Sequence, residues 1–160
     1  MITAVDANML FDIISDDSEL YAESSALLQK YSSEGSLIVS PIAYSEFLAS
    51  FFSGFKEEEA TELAKSFLDD FDIQIVPFAD DDFVLAAKTW SLFSPPKQIA
   101  CPKCGAANVF YCKKCKARVK WRNHVMTDFL IGAHAQNNAE VFLTRDLGYH
   151  KKYFKIKVLP

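Results

Sequence analysis

One stretch of the sequence lacks acidic residues, although Asp and Glu outnumber Lys and Arg in the whole chain by 21 to 17. Residues 97–125 hold 8 basic residues and no acidic one, whereas residues 1–96 hold 18 acidic and 4 basic residues. With 5 basic and 3 acidic residues in 126–160, the three segments have net charges of +8, −14 and +2. This asymmetry favours a polyanion as partner of the basic segment; the alternative is a solvated loop that is basic by chance.

Long apolar runs are also missing. No hydrophobic segment approaches the roughly 18 residues that suggest a membrane span. The first residues, MITAVDANML, lack the basic start of a secretory signal. We therefore expect a soluble, cytoplasmic protein that does not bind a membrane. The length of 160 residues suits one domain with a substantial core.

Cysteine is absent outside one short segment, where it follows the pattern Cys101-x-x-Cys104, seven residues, Cys112-x-x-Cys115. This spacing suits a tetrahedral Zn²⁺ held by two knuckles, and Gly105 can adopt the positive φ that such a turn uses. Two disulfides are the alternative, disfavoured in a reducing compartment, and iron is the alternative metal. Because protein fills all four positions, the predicted zinc is structural and not catalytic.

Five short apolar runs rich in β-branched residues predict buried strands at residues 2–5, 37–40, 73–76, 141–144 and 156–159. Apolar residues at helical spacing lie between them. These are Leu20, Leu27, Leu28 and Tyr31; Tyr44, Phe47, Leu48, Phe51, Phe52 and Phe55; Ala60, Leu63, Ala64, Phe67, Leu68 and Phe71; Phe83, Ala86, Ala87, Trp90 and Phe93; and Phe129, Leu130, Ala133 and Asn137. The alternation predicts an α/β fold, an α/β/α sandwich around a parallel sheet.

The cysteine segment interrupts this pattern. Pro95 and Pro96 end one helical stripe, so residues 97–122 form an insertion between two helices of a single domain over residues 1–160. No internal repeat is evident. The acidic runs DDS, KEEE and ADDD lie at helix starts and are interpreted as solvated caps without chemistry.

Four carboxylates stand at positions where an α/β sheet gathers ligands. Asp6 directly follows the first strand and Asp146 closely follows the fourth, while Glu46 follows the second strand and Asp128 opens the helix before the fourth. Functional side chains of such sheets meet beyond the carboxyl ends of the strands. Hydrolysis of a phosphodiester with Mg²⁺ or Mn²⁺ needs converging carboxylates of this kind. Taken singly, Asp128 could be a helix cap and Glu46 a solvated residue.

The stretches VDANMLFDI, VSPIAYSEFL, TDFLIGAHA and FLTRDLGYHKKYFKIKVLP resemble, in this order, a PIN domain of the VapC toxin type. The resemblance covers nearly all of the chain except residues 95–124. It implies a four- or five-stranded parallel sheet, a Mg²⁺- or Mn²⁺-dependent endoribonuclease, a homodimer and a cognate antitoxin. Carried over residue by residue, it assigns the catalytic, metal-binding quartet to Asp6, Glu46, Asp128 and Asp146, and supporting roles to Asn8 and Thr144.

Two histidines lie near the residues that carry this resemblance. His150, with Tyr149, stands where some relatives have another acid, so a fifth metal ligand there is left open. His134 lies on a helix that reads as mostly buried, and is interpreted as a core or face residue instead of a ligand.

The insertion departs from the usual pattern of this family and carries the basic residues. We expect it to grip RNA phosphates and stack on unpaired bases through Tyr111, Trp121 and the residues Lys113, Lys114, Lys116, Arg118, Lys120 and Arg122. In this hypothesis the insertion recruits single-stranded or looped RNA and the carboxylates cut it, leaving a 5′-phosphate and a 3′-hydroxyl. The rivals are a catalytically silent binding module, and an insertion that docks a protein or a second subunit.

Overall fold

The computed structural model describes residues 1–15, 20–93, 98–101, 104, 106–119 and 125–160. Several residues singled out in the sequence lie outside these ranges: Pro95, Pro96, Gly105, Lys120, Trp121, Arg122 and the acidic run at 16–17. None of the helices in the described part is long and apolar enough to cross a membrane.

A five-stranded parallel sheet forms the centre of the domain, with strand order β3-β2-β1-β6-β7. The strands are β1 (Ile2–Val5), β2 (Ser36–Val39), β3 (Ile73–Ile75), β6 (Val141–Leu143) and β7 (Lys157–Leu159). All four neighbouring pairs run parallel, for example with Ala4 opposite Ile38 in β2 and opposite Phe142 in β6. The α/β class and the parallel five-stranded sheet expected from the sequence are thereby confirmed.

Seven helices are present in the described ranges. They are α1 (Ala7–Ile14), α2 (Tyr21–Glu34), α3 (Pro41–Phe51), α4 (Glu57–Asp70), α5 (Asp80–Leu92), α6 (Met126–Asn138) and α7 (Leu147–Tyr153). The five predicted apolar stripes correspond to α2 to α6, whereas α1 and α7 were not predicted. Helix α3 stops at Phe51, so Phe52 and Phe55 of its stripe lie beyond the helix and are exposed.

Local chemistry sets where the strands stop and the helices start. The hydroxyl of Ser40 accepts a hydrogen bond from the N–H of Ala43 at 3.2 Å, and Pro41 follows as the first helical residue. A serine cap with proline at the first helical position is a strong helix start. Residue 40, predicted as the end of a strand, therefore begins α3 instead.

The hydrophobic core consists of two clusters. The larger packs α1 to α4 against the strands and centres on fully buried residues such as Phe47, Leu37 and Phe142. The smaller is aromatic, with Phe129 of α6 in edge-to-face contact with Tyr149 at 5.1 Å between ring centroids. Because Gly132 has no side chain, the ring of Phe154 can lie directly on α6.

Two buried polar residues sit between α5 and α6. Asp82 is fully buried; its Oδ1 accepts a hydrogen bond from Asn137 at 2.8 Å and its Oδ2 accepts one from the N–H of Ala79 at 2.9 Å. The expectation of a solvated cap was therefore wrong for Asp82. His134 is 1% exposed and bonds the carbonyl of Val76 through Nε2 at 2.9 Å, in keeping with a core residue.

The insertion forms a small structure of its own. Strands β4 (Ile99–Ala100) and β5 (Ala107–Asn108) pair antiparallel, and Tyr111 pairs with Arg118 in an isolated bridge. Each pairing encloses one Cys-x-x-Cys motif. Every residue from 106 to 119 is exposed except Cys112, which is partly buried.

Candidate active site

The sheet topology creates a crevice at the carboxyl end of β1. From β1 the chain passes to β2 on one side, whereas β6 lies on the other side. Such a switch point leaves a gap between the connections, and ligands of α/β proteins bind there. Asp6 follows β1 and caps α1, while Asp146 follows β6 and caps α7, so both carboxylates open into this crevice.

All four predicted carboxylates line one open pocket of about 160 Å³. We call it the carboxylate pocket; it is lined by Asp6, Ala7, Asn8, Phe11, Glu46, Asp128, Ile131, Asp146 and His150. Glu46 reaches it from α3 and Asp128 from the first turn of α6. The structure thus brings together residues that are up to 140 positions apart in the sequence.

Asp6 is the most constrained of the four. Its Oδ1 accepts the N–H of Ala7 at 2.8 Å, and its Oδ2 accepts the hydroxyl of Thr144 at 2.6 Å and the amide of Asn8 at 2.7 Å. Burial raises the pKa of Asp6 to about 6, the hydrogen bonds from Thr144 and Ala7 oppose this, and the negative charges of Asp128 and Asp146 add to it. Asp6 is therefore held in place at a position that disfavours its own charge.

Thr144 ties this carboxylate to the loop that carries Asp146. Besides donating to Asp6, its hydroxyl oxygen accepts the N–H of Asp146 at 3.1 Å and the amide of Asn8 at 3.2 Å. Asn8 in turn accepts the N–H of Arg145 through its Oδ1 at 3.1 Å. The two residues given supporting roles in the sequence thus connect the ends of β1 and β6.

Asp128 has two roles in the structure. Its Oδ2 accepts the N–H of Val125 at 2.7 Å, so it caps the start of α6, as the plain structural interpretation anticipated. Its carboxylate also lines the carboxylate pocket. Val125 is the first described residue after the insertion, and Phe93, the last before it, packs on Phe129 at 5.4 Å between ring centroids. Both ends of the insertion therefore meet the turn that holds Asp128.

Glu46 completes the pocket from α3. Burial raises the pKa of Glu46, and the charges of Asp6 and Asp128 raise it further. This mutual repulsion indicates that the carboxylates are close enough to interact. Among the described residues, however, no group of three or more His, Cys, Asp or Glu side chains is gathered tightly enough to enclose a metal ion.

The structure adds two residues to the description of this site. His150, where the resemblance left a fifth metal ligand open, lines the pocket four residues, about one helical turn, after Asp146. Arg145 was not singled out in the sequence: its Nε donates to Asp12 Oδ2 at 2.8 Å, Nη1 to Glu23 Oε2 at 2.8 Å and Nη2 to Ser24 Oγ at 2.6 Å. These three hydrogen bonds of the guanidinium group anchor the loop between Thr144 and Asp146 to α1 and α2.

An equivalent backbone hydrogen bond closes each cysteine pair. The N–H of Cys101 donates to the carbonyl of Ala106 at 2.9 Å, and the N–H of Cys112 donates to that of Ala117 at 2.8 Å. Each bond joins residues five positions apart and encloses one Cys-x-x-Cys motif. The two six-residue stretches share both cysteines, the lysine before the second cysteine and the final alanine.

The second pair shows how such a turn favours thiolates. The N–H groups of Cys115 and Lys114 point to the sulfur of Cys112 and, with the Cys115 thiol, lower the pKa of Cys112. Lys116 has a φ of 61°, the left-handed region, at the position that Gly105 occupies in the first pair. No disulfide joins the four cysteines, and within the described residues the two pairs do not form one tight ligand group.

The basic side chains of the insertion that the structure describes all face solvent. These are Lys113, Lys114, Lys116 and Arg118, next to the exposed aromatic residues Phe110 and Tyr111. Lys120 and Arg122 lie outside the described residues. The arrangement offers cations and exposed rings on one small segment.

Comparisons with known proteins identify the family and the fold. A model of the PIN domain family matches residues 3–99, more than half of the 160 residues. A search among curated proteins finds no sequence match.

Among solved structures, the chain is similar to VapBC2 from Rickettsia felis bound to a promoter DNA fragment, with a TM-score of 0.65, 16% identity, and coverage of 99% of this chain and 98% of that one. VapBC-1 from nontypeable Haemophilus influenzae gives a TM-score of 0.65 at 15% identity, covering 99% and 97%. VapC20 of Mycobacterium tuberculosis, described as a sarcin-ricin loop cleaving toxin, gives 0.57 at 11% identity, covering 99% and 99%. At these identities the likeness shows a shared fold.

Proposed function

The chain belongs to the PIN domain family, and from this premise we propose that it is a Mg²⁺- or Mn²⁺-dependent endoribonuclease of the VapC toxin type. The observation that supports the proposal is the carboxylate pocket, where four acids from four separate elements open into one crevice. Burial raises the pKa of Asp6 and of Glu46, and repulsion from the other acids of the pocket raises both further. A cluster that opposes its own charge is typical of a cation site.

The donor set fits a hard divalent cation. Carboxylate oxygens are the ligands that Mg²⁺ and Mn²⁺ prefer, and an open pocket leaves room for retained waters. Asp6, Glu46, Asp128 and Asp146 would hold one or two such ions. Small rotations of these side chains would have to gather them, because no three form a tight group in the structure.

When bound, the cation would lower the pKa of a water molecule and offset charge on the phosphodiester. The chain's own residues have positioning roles. Thr144 and Asn8 fix the orientation of Asp6 by hydrogen bonds. Phe11 and Ile131 give the pocket an apolar wall beside the acids. Cleavage would leave a 5′-phosphate and a 3′-hydroxyl.

We call the domain without residues 97–122 the body. The insertion would supply the attraction for RNA that this body lacks, because residues 1–96 have a net charge of −14. Its exposed lysines and Arg118 suit phosphates, and Phe110 and Tyr111 suit stacking on unpaired bases. We further propose that Cys101, Cys104, Cys112 and Cys115 bind a structural Zn²⁺. The paired turns and the lowered pKa of Cys112 support this, because the thiolate is the form that binds the metal.

Partners follow from the similar structures. The relatives named VapBC are complexes of two different proteins, which supports a cognate antitoxin for this chain. We also propose a homodimer and a cytoplasmic location.

The test is cleavage of total RNA with and without Mn²⁺ by the zinc-loaded protein. Asp6→Asn and Asp128→Asn are each expected to lower cleavage by about 100- to 1,000-fold, since each removes charge at the reacting centre. Asp70→Asn, at an exposed position on α4, is the matched control and should cleave normally. Cleavage that survives in both pocket variants and without divalent cations would refute a metal-dependent nuclease.

A second candidate function is a catalytically silent module that binds nucleic acid or protein through the insertion. It is favoured by the absence of a tight group of three metal ligands among the described residues. Direct measurement of Mn²⁺ affinity separates the two candidates, because a silent module has no need to bind the cation. RNA binding without Mn²⁺ binding would favour the silent module.

A further inference from the structure

We propose that an open groove between α5 and α7 binds the phosphate backbone of single-stranded RNA next to the cleavage site. The groove has a volume of about 500 Å³ and is lined by residues that include Lys88, Thr89, Leu92, Gln136, Lys152 and Lys155. We call this site the lysine groove. The inference rests on the proposed function, because it assigns a place to the substrate of the carboxylate pocket.

The charge of the lysine groove is unusual for its surroundings. Lys88 is one of only 4 basic residues among the first 96, which also hold 18 acids. The fold brings it together with Lys152 and Lys155 from the other end of the chain, and no acid lines the groove. Both salt bridges found among the described residues belong to Arg145. The ammonium groups of Lys88, Lys152 and Lys155 therefore form no salt bridge with a described carboxylate. Three uncompensated cations in one concave site favour an anion.

The walls indicate which kind of anion fits. Leu85 and Leu92 form an apolar side, Tyr153 presents an aromatic ring, and Thr89 and Gln136 supply hydrogen-bonding groups. Lys152 Nζ lies over the Tyr153 ring, 5.0 Å from its centroid, so a cation and an aromatic ring meet at this wall. Single-stranded RNA has a charged backbone and bases with flat faces, and proteins bind it with this combination of cations and aromatic rings. An acidic protein segment would use the lysines but would not need the ring.

The position of the lysine groove relative to the carboxylate pocket supports the same substrate. Helix α7 begins after Asp146, which lines the carboxylate pocket, and Lys152 near its end lines the groove. Six residues of helix separate them by about 9 Å along the axis. Tyr153 also contacts Phe129, at 5.8 Å between ring centroids, and Phe129 directly follows Asp128. A strand cut at the carboxylates could therefore reach the lysines within a few nucleotides.

The experiment measures RNA binding separately from cleavage. The Asp6→Asn protein, zinc-loaded and without Mg²⁺, is titrated with a fluorescent single-stranded RNA at several KCl concentrations. In this background Lys88→Gln, Lys152→Gln and Lys155→Gln are combined. The matched control combines Lys30→Gln, Lys56→Gln and Lys65→Gln, which remove the same charge from exposed sites elsewhere. All six side chains are exposed, so neither triple variant should disturb folding.

The groove variant should bind RNA about 10-fold more weakly, and the slope of log K against log salt should fall by about 2, at roughly 0.7 per lost phosphate contact. The control should lose little of either. Equal affinity and slope in the two triple variants would overturn the lysine groove while the proposed function stands. Loss of a dimer with unchanged RNA affinity would also overturn it, by assigning the groove to a subunit contact. Absence of RNA binding by the Asp6→Asn parent itself would reject the proposed function and this inference with it.

Discussion

The carboxylate pocket and the cysteine insertion differ in the way they hold their functional groups. Asp6 is 8% exposed and is fixed by a buried sheet and by three hydrogen bonds. In contrast, all residues from 106 to 119 are exposed except the partly buried Cys112, so this segment has almost no core. A segment without a core needs another source of folding energy, such as a bound metal. The body is thus organised by burial, whereas the insertion would be organised by zinc.

The two regions nevertheless meet at the first turn of α6, which carries Asp128. Phe93 and Val125 are the nearest described residues before and after the insertion, and they contact Phe129 and Asp128 respectively. A change in the order of the insertion would therefore act first on the turn that carries Asp128. This junction makes the comparison open to experiment, because each region can be altered while the other is observed.

Changing the pH tests the carboxylate pocket. Because burial raises the pKa of Asp6 from 3.8 to about 6, the folded protein binds more protons than the unfolded chain between these values. Asp6 should therefore make the free energy of unfolding fall as the pH rises through this range, by about 3 kcal/mol. Urea unfolding without divalent cations measures it. Asp6→Asn, with the same insertion and with Glu46 in place, should lack this contribution; an equal fall in both proteins would contradict it.

Removing one cysteine pair tests the insertion alone. Cys112→Ser combined with Cys115→Ser should abolish zinc binding and, by disordering the basic segment, weaken RNA affinity by about 100-fold. Elemental analysis and RNA titration measure the two effects. The thermal unfolding of the body should change little, and a body that unfolds without zinc would show that the regions are not separately organised.

Deletion of residues 97–122 distinguishes RNA binding from subunit docking as the role of the insertion. If it binds RNA, the shortened protein should lose RNA affinity and keep its oligomeric state. Intact RNA affinity with a lost dimer would assign the insertion to subunit docking instead. Size-exclusion chromatography and RNA titration of the same preparation distinguish these outcomes.

Thr144→Val tests how far the body depends on hydrogen bonds instead of burial. The change removes the hydroxyl that joins Asp6, Asn8 and the N–H of Asp146, but it keeps the shape of the side chain. Loss of a group that orients metal ligands typically costs about 10- to 100-fold in metal affinity or activity. Mn²⁺ titration should show this loss, with RNA affinity unchanged. Thr61→Val, on the exposed face of α4, is the matched control.

Reversing charges in the insertion should have the smallest effect. Lys113→Glu, Lys114→Glu and Lys116→Glu together are expected to weaken RNA binding about 10-fold and to flatten its salt dependence. The zinc content should stay the same, because the cysteines are untouched. An unchanged salt dependence would indicate that these lysines do not contact phosphates.

The sequence predicted the sheet, and the positions of two of the acids at its edge, because both depend on short-range signals. A buried parallel strand is a continuous apolar run, and the acid at its end lies at the sheet edge whatever the rest of the chain does. Asp6 and Asp146 could thus be located before the structure. The strand ends were displaced by only one residue, as at Ser40, where a capping hydroxyl competed with the strand.

What could not be predicted depends on contacts between distant segments. Asp82 has the same local sequence as the exposed Asp80 and Asp81, and its burial depends on Asn137, 55 positions away. Helix α1 starts directly after Asp6 and has only eight residues, about two turns, so its helical spacing is hardly repeated in the sequence. Helix α7 has only seven residues, and strands β4 and β5 only two each, too few for a periodic pattern.

Divalent-cation binding in the carboxylate pocket can be measured directly by titration with Mn²⁺, followed by electron paramagnetic resonance. The zinc-loaded protein should bind Mn²⁺, and a variant combining Asp6→Asn with Asp146→Asn should not, while circular dichroism shows that both are folded. Equal Mn²⁺ binding by the two proteins, or no binding by either, would contradict the account.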